Sequence, residues 1–514
     1  MSPRGRWLAL GVSAATLIVY LLTLAPGLTF EHAGTDGGDL ITAAWTWGVP
    51  HPTGYPFYTL LAALFARLPI GPTIAYRVNL LSAVSAAGAA GLVCLIAQRL
   101  YPKEPHRLAI SAATGLTFGF SALLWSQAVI SEVYTLLTFI AALLLWLLLR
   151  WQSGGRDANL WLAGLLLGLG LGNHLTIVFF APAALVLLWP QRRRWFHPTV
   201  LLPAAGLFLA GLFIYVYLPL AARHYPPVNW GNPQTWKGFL WVVTAEQYQA
   251  FAFGLAPDQY LNRLGSWALL LGEQFGWWGL LISLAGAGWW WRQERRFVLF
   301  ALVWILPLAA YTFLYDTGDS YVYLLPVFML LALFWGKGCR YLLYLARGLH
   351  RAWQRAVLAG LLLLPLLSLA IHWQESDLSH EWTAHAFLSQ TLESVEPDSL
   401  IVVRGDRSTF ALWYGLYVEE RRPDVAVANG PMLAFIWYRD LLRHLYPDLT
   451  VQVPVVEGTL RWDDLVRELV VTNIDHRPLY ATDPKESWEE WFTFVETEAP
   501  IYRVEPKAGQ EPPE

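Results

Sequence analysis

Charge and cysteine are what this sequence has little of. Only 14% of its 514 residues are Asp, Glu, Lys or Arg, against roughly 25% in soluble domains. Beside 56% hydrophobic residues, that shortage excludes a soluble enzyme, a disordered chain and a nucleic-acid-binding module. A multi-pass membrane protein remains. The two cysteines, Cys94 and Cys339, lie in or beside apolar runs, so they form neither a disulfide framework nor a metal-ligand spacing. The net charge of −3 hides a division. Residues 1–373 hold 23 Lys and Arg against 12 Asp and Glu, net +11, and residues 374–514 hold 12 against 26, net −14. The chain reads as a basic membrane domain, 1–373, followed by an acidic soluble domain, 374–514.

Apolar sequence, in contrast, comes in lengths that suit a bilayer. A span needs ~20 mostly apolar residues. Eleven segments are predicted as spans: 7–28, 76–98, 107–127, 132–150, 159–173, 175–190, 198–221, 266–291, 296–314, 320–340 and 356–373. The pair at 159–190 is one apolar run interrupted by Asn173-His174, and reads as two short spans or as one kinked element. The first run follows Arg4 and Arg6 as a signal peptide would. It is longer than a signal core and no small-x-small cleavage site follows it, so a retained anchor is expected. Loops that share a side with the N-terminus carry Lys103 and Arg107, Arg150 and Arg156, Arg192 to Arg194, Arg292 with Arg295 and Arg296, then Lys337, Arg340, Arg347, Arg351 and Arg355. The positive-inside rule then places the N-terminus in the cytoplasm. Eleven crossings put 374–514 outside, a parity that fails if 159–190 crosses once or re-enters. An Arg-rich chain (30 Arg to 5 Lys) without disulfides or a retention signal fits a prokaryotic plasma membrane.

Groups able to do chemistry collect on the non-cytoplasmic side. The first outer loop, 29–75, contains Asp36, Asp39, His51 and Tyr55, and a semi-apolar stretch, 57–69, that lies flat or re-enters. A second, 222–265, contains Pro226-Pro227, Asn229-Trp230-Gly231 and many aromatics that suit a membrane interface. In the acidic domain, strands are predicted near 399–403, 425–428 and 478–481, and helices near 408–418, 432–445 and 461–470. That alternation suggests a small parallel α/β domain, which docks an acceptor protein or is only a solvated lid. Gly405-Asp406 after the first strand resembles a ligand-binding turn, but no phosphate-cradling glycine pattern follows, so a turn and helix cap is the expectation.

The strongest local signal is Thr35-Asp36-Gly37-Gly38-Asp39, two carboxylates three apart just beyond the first span. Such a pair serves general-base chemistry or faces a metal. It equally fits a helix start with Asp36 as N-cap and Asp39 at N3, and the two readings are compatible if Asp39 braces the loop that aims Asp36. His51-Pro52-Thr53-Gly54-Tyr55-Pro56 is a stiff turn. It is either a clamp placing His51 and Tyr55 near a polar headgroup or a plain chain reversal. Glu132 opens a span after Ser131 and is a second outer acid or a carboxylate favoured by the helix dipole. Asn173-His174 lies at membrane depth, where polar residues are expensive, unless the chain turns there. Arg77 pairs a phosphate or snorkels to the interface. Asp316 and Asp319 fit a tight outer turn.

These pieces in this order resemble glycosyltransferase family 117, first catalogued as domain of unknown function 2723, the family of the transmembrane-protein-260 type of protein O-mannosyltransferase. The matching segments are Leu24-Ala25-Pro26, Thr35 to Leu40, His51 to Tyr58, Arg77 to Ser82, Ser131-Glu132-Val133-Tyr134, Gly172 to Thr176 and Pro227 to Pro233, with the His-Pro-x-Gly-Tyr-Pro turn the most specific. The resemblance covers most of 20–330. Where the family shows Trp-Asp-Ser-Gly-Glu, this chain has Thr35, Asp36, Gly37, Gly38 and Asp39.

The resemblance implies a GT-C-like fold, so the expected class is an α-helical multi-pass membrane protein with about eleven transmembrane helices, as read above; the small C-terminal α/β soluble domain departs from the helical repeats that many relatives carry there. The implied activity is inverting transfer of a sugar, mannose for instance, from a polyprenyl-phosphate donor to a hydroxyl of a protein or glycan acceptor on the exoplasmic face. Asp36 matches the family's catalytic acidic residue. Asp39 and Glu132 would orient or hydrogen-bond the sugar, and Arg77, His51 and His174, then Arg223 and Lys237, would meet the leaving phosphate. Tyr55, Tyr134, Asn173, Asn229 and Trp230 complete the expected substrate-binding set. No protein metal site is expected, although carboxylates beside a phosphate have the chemistry to hold a divalent cation. The expected partners are the donor lipid, the acceptor and the bilayer, and no nucleic acid. The competing readings are a transporter or lipid flippase, which a broken helix at Asn173-His174 would suit, and a non-catalytic scaffold presenting the acidic domain.

Overall fold

The computed structural model describes residues 2–101, 106–451 and 461–507. Lys103, one of the basic loop residues, lies outside them. The chain forms two compact units, each assembled from three separated stretches. One unit comprises Met1–Ala25, Asn79–Tyr215 and Gln247–Ser379; the other comprises Pro26–Val78, Val216–Glu246 and His380–Glu514.

All eleven predicted apolar segments are helical, but not all are single straight spans. Among the described residues nine helices are long and apolar enough to cross a membrane, beginning with Pro3–Thr23, Ile74–Leu100 and Tyr134–Gln152. A tenth crossing is available only if the bent pair Arg107–Gly119 and Ala122–Ala128, 62° apart, counts as one span. The expected span at 159–173 is the helix Ala158–Leu171, of 14 residues. At ~1.5 Å per residue it is ~21 Å long, short of a ~30 Å hydrocarbon layer. The count of eleven is thereby corrected to nine or ten.

The bend at Phe120-Ser121 frees backbone groups that lipid cannot satisfy, and the first unit supplies partners. Ser368 Oγ donates to the Phe120 carbonyl at 2.8 Å and His372 Nδ1 at 2.9 Å. Gln274 Oε1 accepts from the Leu123 N–H at 3.1 Å. The break at Asn173-His174 is held likewise. The His174 N–H donates to the Gly170 carbonyl, and Asn173 Nδ2 donates to the Val133 carbonyl at 3.1 Å.

In the second unit a five-stranded sheet is built from β1 (Leu400–Val403), β2 (Ala426–Asn429), β3 (Leu479–Ala481), β4 (Phe492–Glu496) and β5 (Tyr502–Pro506). The order is β2-β1-β3-β5-β4. β1 is parallel to β2 and β3, with Leu400 opposite Ala426 and Leu479. β5 runs antiparallel to β3 and β4. The parallel domain expected from the sequence is therefore a mixed sheet. The apolar runs of β1 to β3 are buried throughout, as central parallel strands must be. β4 and β5 are mostly exposed, and each carries one Glu. The first-loop helices Gly37–Thr46 and Pro56–Ala66 belong to this same unit.

Candidate active site

The site in the second unit starts from the turn ahead of the helix Gly37–Thr46. Asp36 stands in the N-cap position but makes no capping hydrogen bond. Asp39 is in the first helical turn, at N3, and its carboxylate turns inward and is fully buried. Asp39 Oδ2 accepts from the His51 backbone N–H at 2.9 Å and from His51 Nδ1 at 2.7 Å. Asp39 Oδ1 accepts from the Trp230 indole N–H at 2.9 Å. A buried carboxylate is costly unless paired and hydrogen-bonded, and these three donors offset that cost. Position alone suited a capping box; the hydrogen bonds run elsewhere.

The turn that presents His51 is fixed on both sides. The Val49 N–H donates to the Val228 carbonyl at 2.8 Å, and the Trp230 N–H donates to the Val49 carbonyl at 3.1 Å. That parallel bridge draws Asn229 and Trp230 against the first loop. The Gly54 N–H closes the turn on the His51 carbonyl at 2.9 Å, and Tyr55 Oη donates to the Pro52 carbonyl at 3.2 Å. The His51 ring meets Tyr55 edge-on at 5.0 Å and Trp230 at 6.3 Å. With Nδ1–H committed to Asp39, Nε2 faces Asp36 Oδ2 at 3.6 Å. This is an ion-pair distance, slightly long for a hydrogen bond. Asp36 keeps 32% of its side chain exposed while His51 keeps 9%, so solvent or substrate reaches the assembly at Asp36.

The acidic domain closes on this assembly within the same unit. Its helix Asp406–Tyr417 brings the Phe410 carbonyl so close to Gly38 that a Cβ there would lie 2.4 Å from the oxygen. Phe410 and Trp437 stand 6.3 and 5.9 Å from Trp230. The first residue of that helix, Asp406, is a carboxylate the sequence reading left as a turn. Desolvation pushes its carboxyl above the ordinary range, the His51 charge pulls it down, and the Asp39 charge pushes it up. Asp406 keeps solvent access, which moderates that desolvation. The Gly405-Asp406 turn was the available signal; only the tertiary fold shows what it faces.

Other expected residues have different surroundings. Arg77 Nε donates to the Ile70 carbonyl at 2.9 Å and Nη1 to the Ala66 carbonyl at 3.2 Å, which ties it to the first loop. Both His51 ring nitrogens face carboxylates. Arg223 and Lys237 are exposed. Asn229 is buried, with Nδ2 near the Ala222 carbonyl at 3.5 Å and, among the described residues, no partner for Oδ1.

The first unit holds a second set. Glu132 is buried beside Ser82, whose hydroxyl lies 3.3 Å from both the Glu132 carbonyl and its N–H. The rings of Tyr134, His174 and Tyr323 meet in a triangle at 5.1 to 5.7 Å. His174 Nδ1 and Thr176 Oγ1 are 2.8 Å apart. Asn173 is fully buried, and among the described residues its Oδ1 has no partner. Tyr323 lies outside the expected set, since a Tyr at the start of an apolar run reads as an interfacial aromatic. Among the described residues no three acidic, His or Cys side chains are arranged to hold a metal ion.

Residues 36–195 match the model of the protein O-mannosyl-transferase TMEM260 N-terminal domain, and residues 384–512 match TMEM260-associated domain 2. The chain is 29% identical over 485 residues to the protein O-mannosyl-transferase TMEM260 of Mus musculus, covering 85% of this chain and 64% of that one. Its likeness to the Dictyostelium discoideum protein of that name is 22%, covering 90% and 62%. An undecaprenyl phosphate-alpha-4-amino-4-deoxy-L-arabinose arabinosyl transferase of Pseudomonas fluorescens is 25% identical over 343 residues, covering 65% and 58%. The chain thus spans just under two thirds of the length of these relatives. The crystal structure of ArnT from Cupriavidus metallidurans bound to undecaprenyl phosphate superposes with TM-score 0.60 at 13% identity, over 99% of both chains. Two models of the TMEM260 family thus match separate stretches of this chain, and its fold is similar to that of ArnT.

Proposed function

We propose that this chain is a GT-C-type glycosyltransferase moving a sugar, mannose in the first instance, from a polyprenyl-phosphate donor to a hydroxyl of a protein Ser or Thr or of a glycan. Asp36 takes the acceptor hydroxyl proton while that oxygen bonds to the anomeric carbon. The bond from that carbon to the phosphate oxygen breaks, and the lipid phosphate leaves with the electron pair. Attack opposite the leaving group inverts the configuration. A carboxylate is an adequate base here, because the hydroxyl acidifies as the new bond forms.

The observation that carries this reading is the chain of contacts Asp39–His51–Asp36. A buried, triply hydrogen-bonded carboxylate that holds an imidazole against a second, accessible carboxylate is an arrangement for proton transfer; a helix cap needs none of it. Asp39 and Asp406 add negative charge around Asp36, so the acceptor or the sugar hydroxyls, not the phosphate, belong beside it. Tyr134, Asn173 and His174 have the donors, acceptors and ring faces to bind the sugar or its phosphate, a role tested by their own substitution.

The same reading places the catalytic face outside. The first loop lies one apolar helix from the N-terminus, which the basic loops assign to the cytoplasm. The acidic domain packs on that loop through Phe410 and Gly38, which supports an exoplasmic position for it without any count of spans. A prokaryotic plasma membrane is the proposed location.

The test incubates the purified full-length chain with polyprenyl-phosphate mannose, a panel of other polyprenyl-phosphate sugars and Ser/Thr peptide or glycan acceptors. One hexose should be added with inverted configuration. Absence of transfer from every donor by protein that binds the lipid would overturn the proposal.

A further inference from the structure

A second feature of the first unit lies at the other end of the helix Pro3–Thr23 from the first loop, and the proposed chemistry does not use it. A cavity of about 550 Å³ runs between this helix, Ile74–Leu100 and Tyr134–Gln152. Its trough is apolar, lined by Leu10, Leu92 and Leu95, and its mouth holds Arg6, Arg99 and Arg150.

The three arginines are gathered by specific contacts. Gly5 lets the first helix settle on Gln98, whose Nε2 donates to the Gly5 carbonyl at 2.9 Å; a Cβ at Gly5 would lie 2.2 Å from Gln98 Oε1. Arg6 thereby comes next to Arg99. Arg99 Nε donates to the Leu149 carbonyl at 3.0 Å, which sets Arg99 beside Arg150. The Arg150 guanidinium lies over the Trp146 ring at 4.6 Å. Among the described residues none of the three cations is in an ion pair, no carboxylate lines the cavity, and Trp146 Nε1 is a buried donor without a partner.

Three like charges held together repel one another unless an anion joins them. Sorting of basic residues to one membrane side explains why arginines occur at these loops, but not why three converge on a trough of leucines. We propose that this groove is a binding site for an anionic membrane phospholipid, with its phosphate among Arg6, Arg99 and Arg150, the Trp146 indole N–H as a further donor, and an acyl chain along Leu10, Leu92 and Leu95. Charge complementarity chooses an anionic headgroup, and the apolar trough chooses a lipid over a free phosphate. The site is independent of sugar transfer.

The experiment is native mass spectrometry of the full-length chain in detergent, titrated with phosphatidylglycerol, phosphatidylcholine or inorganic phosphate. Phosphatidylglycerol should be retained more tightly than phosphatidylcholine, and inorganic phosphate should neither be retained nor displace it. Each arginine near a lipid surface contributes about five-fold in affinity. Arg6→Gln and Arg150→Gln should therefore each weaken phosphatidylglycerol about five-fold, and Arg6→Lys should keep most of the binding. A control that removes two cations elsewhere, Arg292→Gln with Arg296→Gln, should change nothing. Equal retention of both lipids, an equal loss in the control, or displacement by phosphate alone would overturn the proposal.

Discussion

Asp39 Oδ2 accepts both the backbone N–H and the ring Nδ1–H of His51, at 2.9 and 2.7 Å. One carboxylate oxygen thus fixes the path of the turn and the direction of the ring it carries. The consequence is local and directional, since Nε2 must then look towards Asp36.

Asp39→Asn is the sharpest probe of that relationship. An amide keeps one acceptor but turns an N–H₂ group towards donors, so the turn or the indole of Trp230 loses a partner. Unfolding free energy should fall by about 1–3 kcal/mol, the cost of leaving buried polar groups unsatisfied. The transfer rate should drop by roughly 10² or more, as when an orienting carboxylate is removed from a histidine. Thermal melts and initial rates check both, and an Asp39→Asn protein with unchanged kcat would remove the positioning role.

Asp406 gives a prediction with a definite sign. Its carboxyl is raised by desolvation, lowered by His51 and raised by Asp39, and the net upward shift means the folded state disfavours its charge. Destabilisation from a raised carboxyl is fully present above the folded pKa and is relieved as pH falls through it. Asp406→Asn should therefore raise Tm at about pH 8 and lose that advantage near about pH 4. The residue is exposed, so the effect should be small. A lower Tm for the variant at the higher pH would show that attraction to His51 dominates instead.

Gly38 tests how the acidic domain meets the first loop. With the Phe410 carbonyl 2.4 Å from a would-be Cβ, Gly38→Ala must push that helix away. Tm and transfer should both fall, by about 1–3 kcal/mol in stability as for other overpacked sites. Gly405→Ala, where nothing lies within 4 Å, should be near neutral. Equal behaviour of the two variants in thermal melts would refute the close approach.

The Arg422–Asp424 pair reports on the acidic domain alone. Hydrogen bonds from Arg422 hold the Asp424 carboxyl down to about 2, and Arg422 also donates to the carbonyls of Leu392, Val395 and Glu396. A lowered carboxyl stabilises above its unfolded pKa and loses that contribution as pH falls towards the folded value. Arg422→Gln should lower Tm near neutral pH, while Asp424→Asn should cost less, about 1 kcal/mol after solvent screening, and should vanish in acid. A pH-independent Asp424→Asn effect would contradict this.

How much of this was legible varied with the kind of signal. Apolar run length located every membrane helix, because burial in lipid is a one-dimensional requirement. It could not tell that Ala158–Leu171 is too short or that the chain bends at Phe120, since the compensating partners Gln274, Ser368 and His372 are remote in sequence. The stiffness of the turn at His51 was readable from Pro52, Gly54 and Pro56. The bond from its ring to Asp39 was not, although Asp39 read as a brace for the loop that aims Asp36 as well as a sugar ligand or a helix-start residue. The carbonyls that hold Arg77, those of Ala66 and Ile70, leave no trace in composition. β4 and β5 escaped because both are mostly exposed and carry charged residues, so no apolar run marks them. Asp406 was seen as a turn, and only the packing of its helix on Gly38 shows why a carboxylate there matters.

The central claim is that Asp36 removes the acceptor proton. The most direct measurement is single-turnover transfer from a polyprenyl-phosphate sugar by Asp36→Asn, with donor affinity measured on the same protein. The account predicts a rate loss of about 10²–10⁴, the range for a general base, with donor binding within about two-fold of the parent, since no phosphate contact is assigned to this carboxylate. Transfer by Asp36→Asn at a rate near that of the parent, with the donor bound, would contradict it.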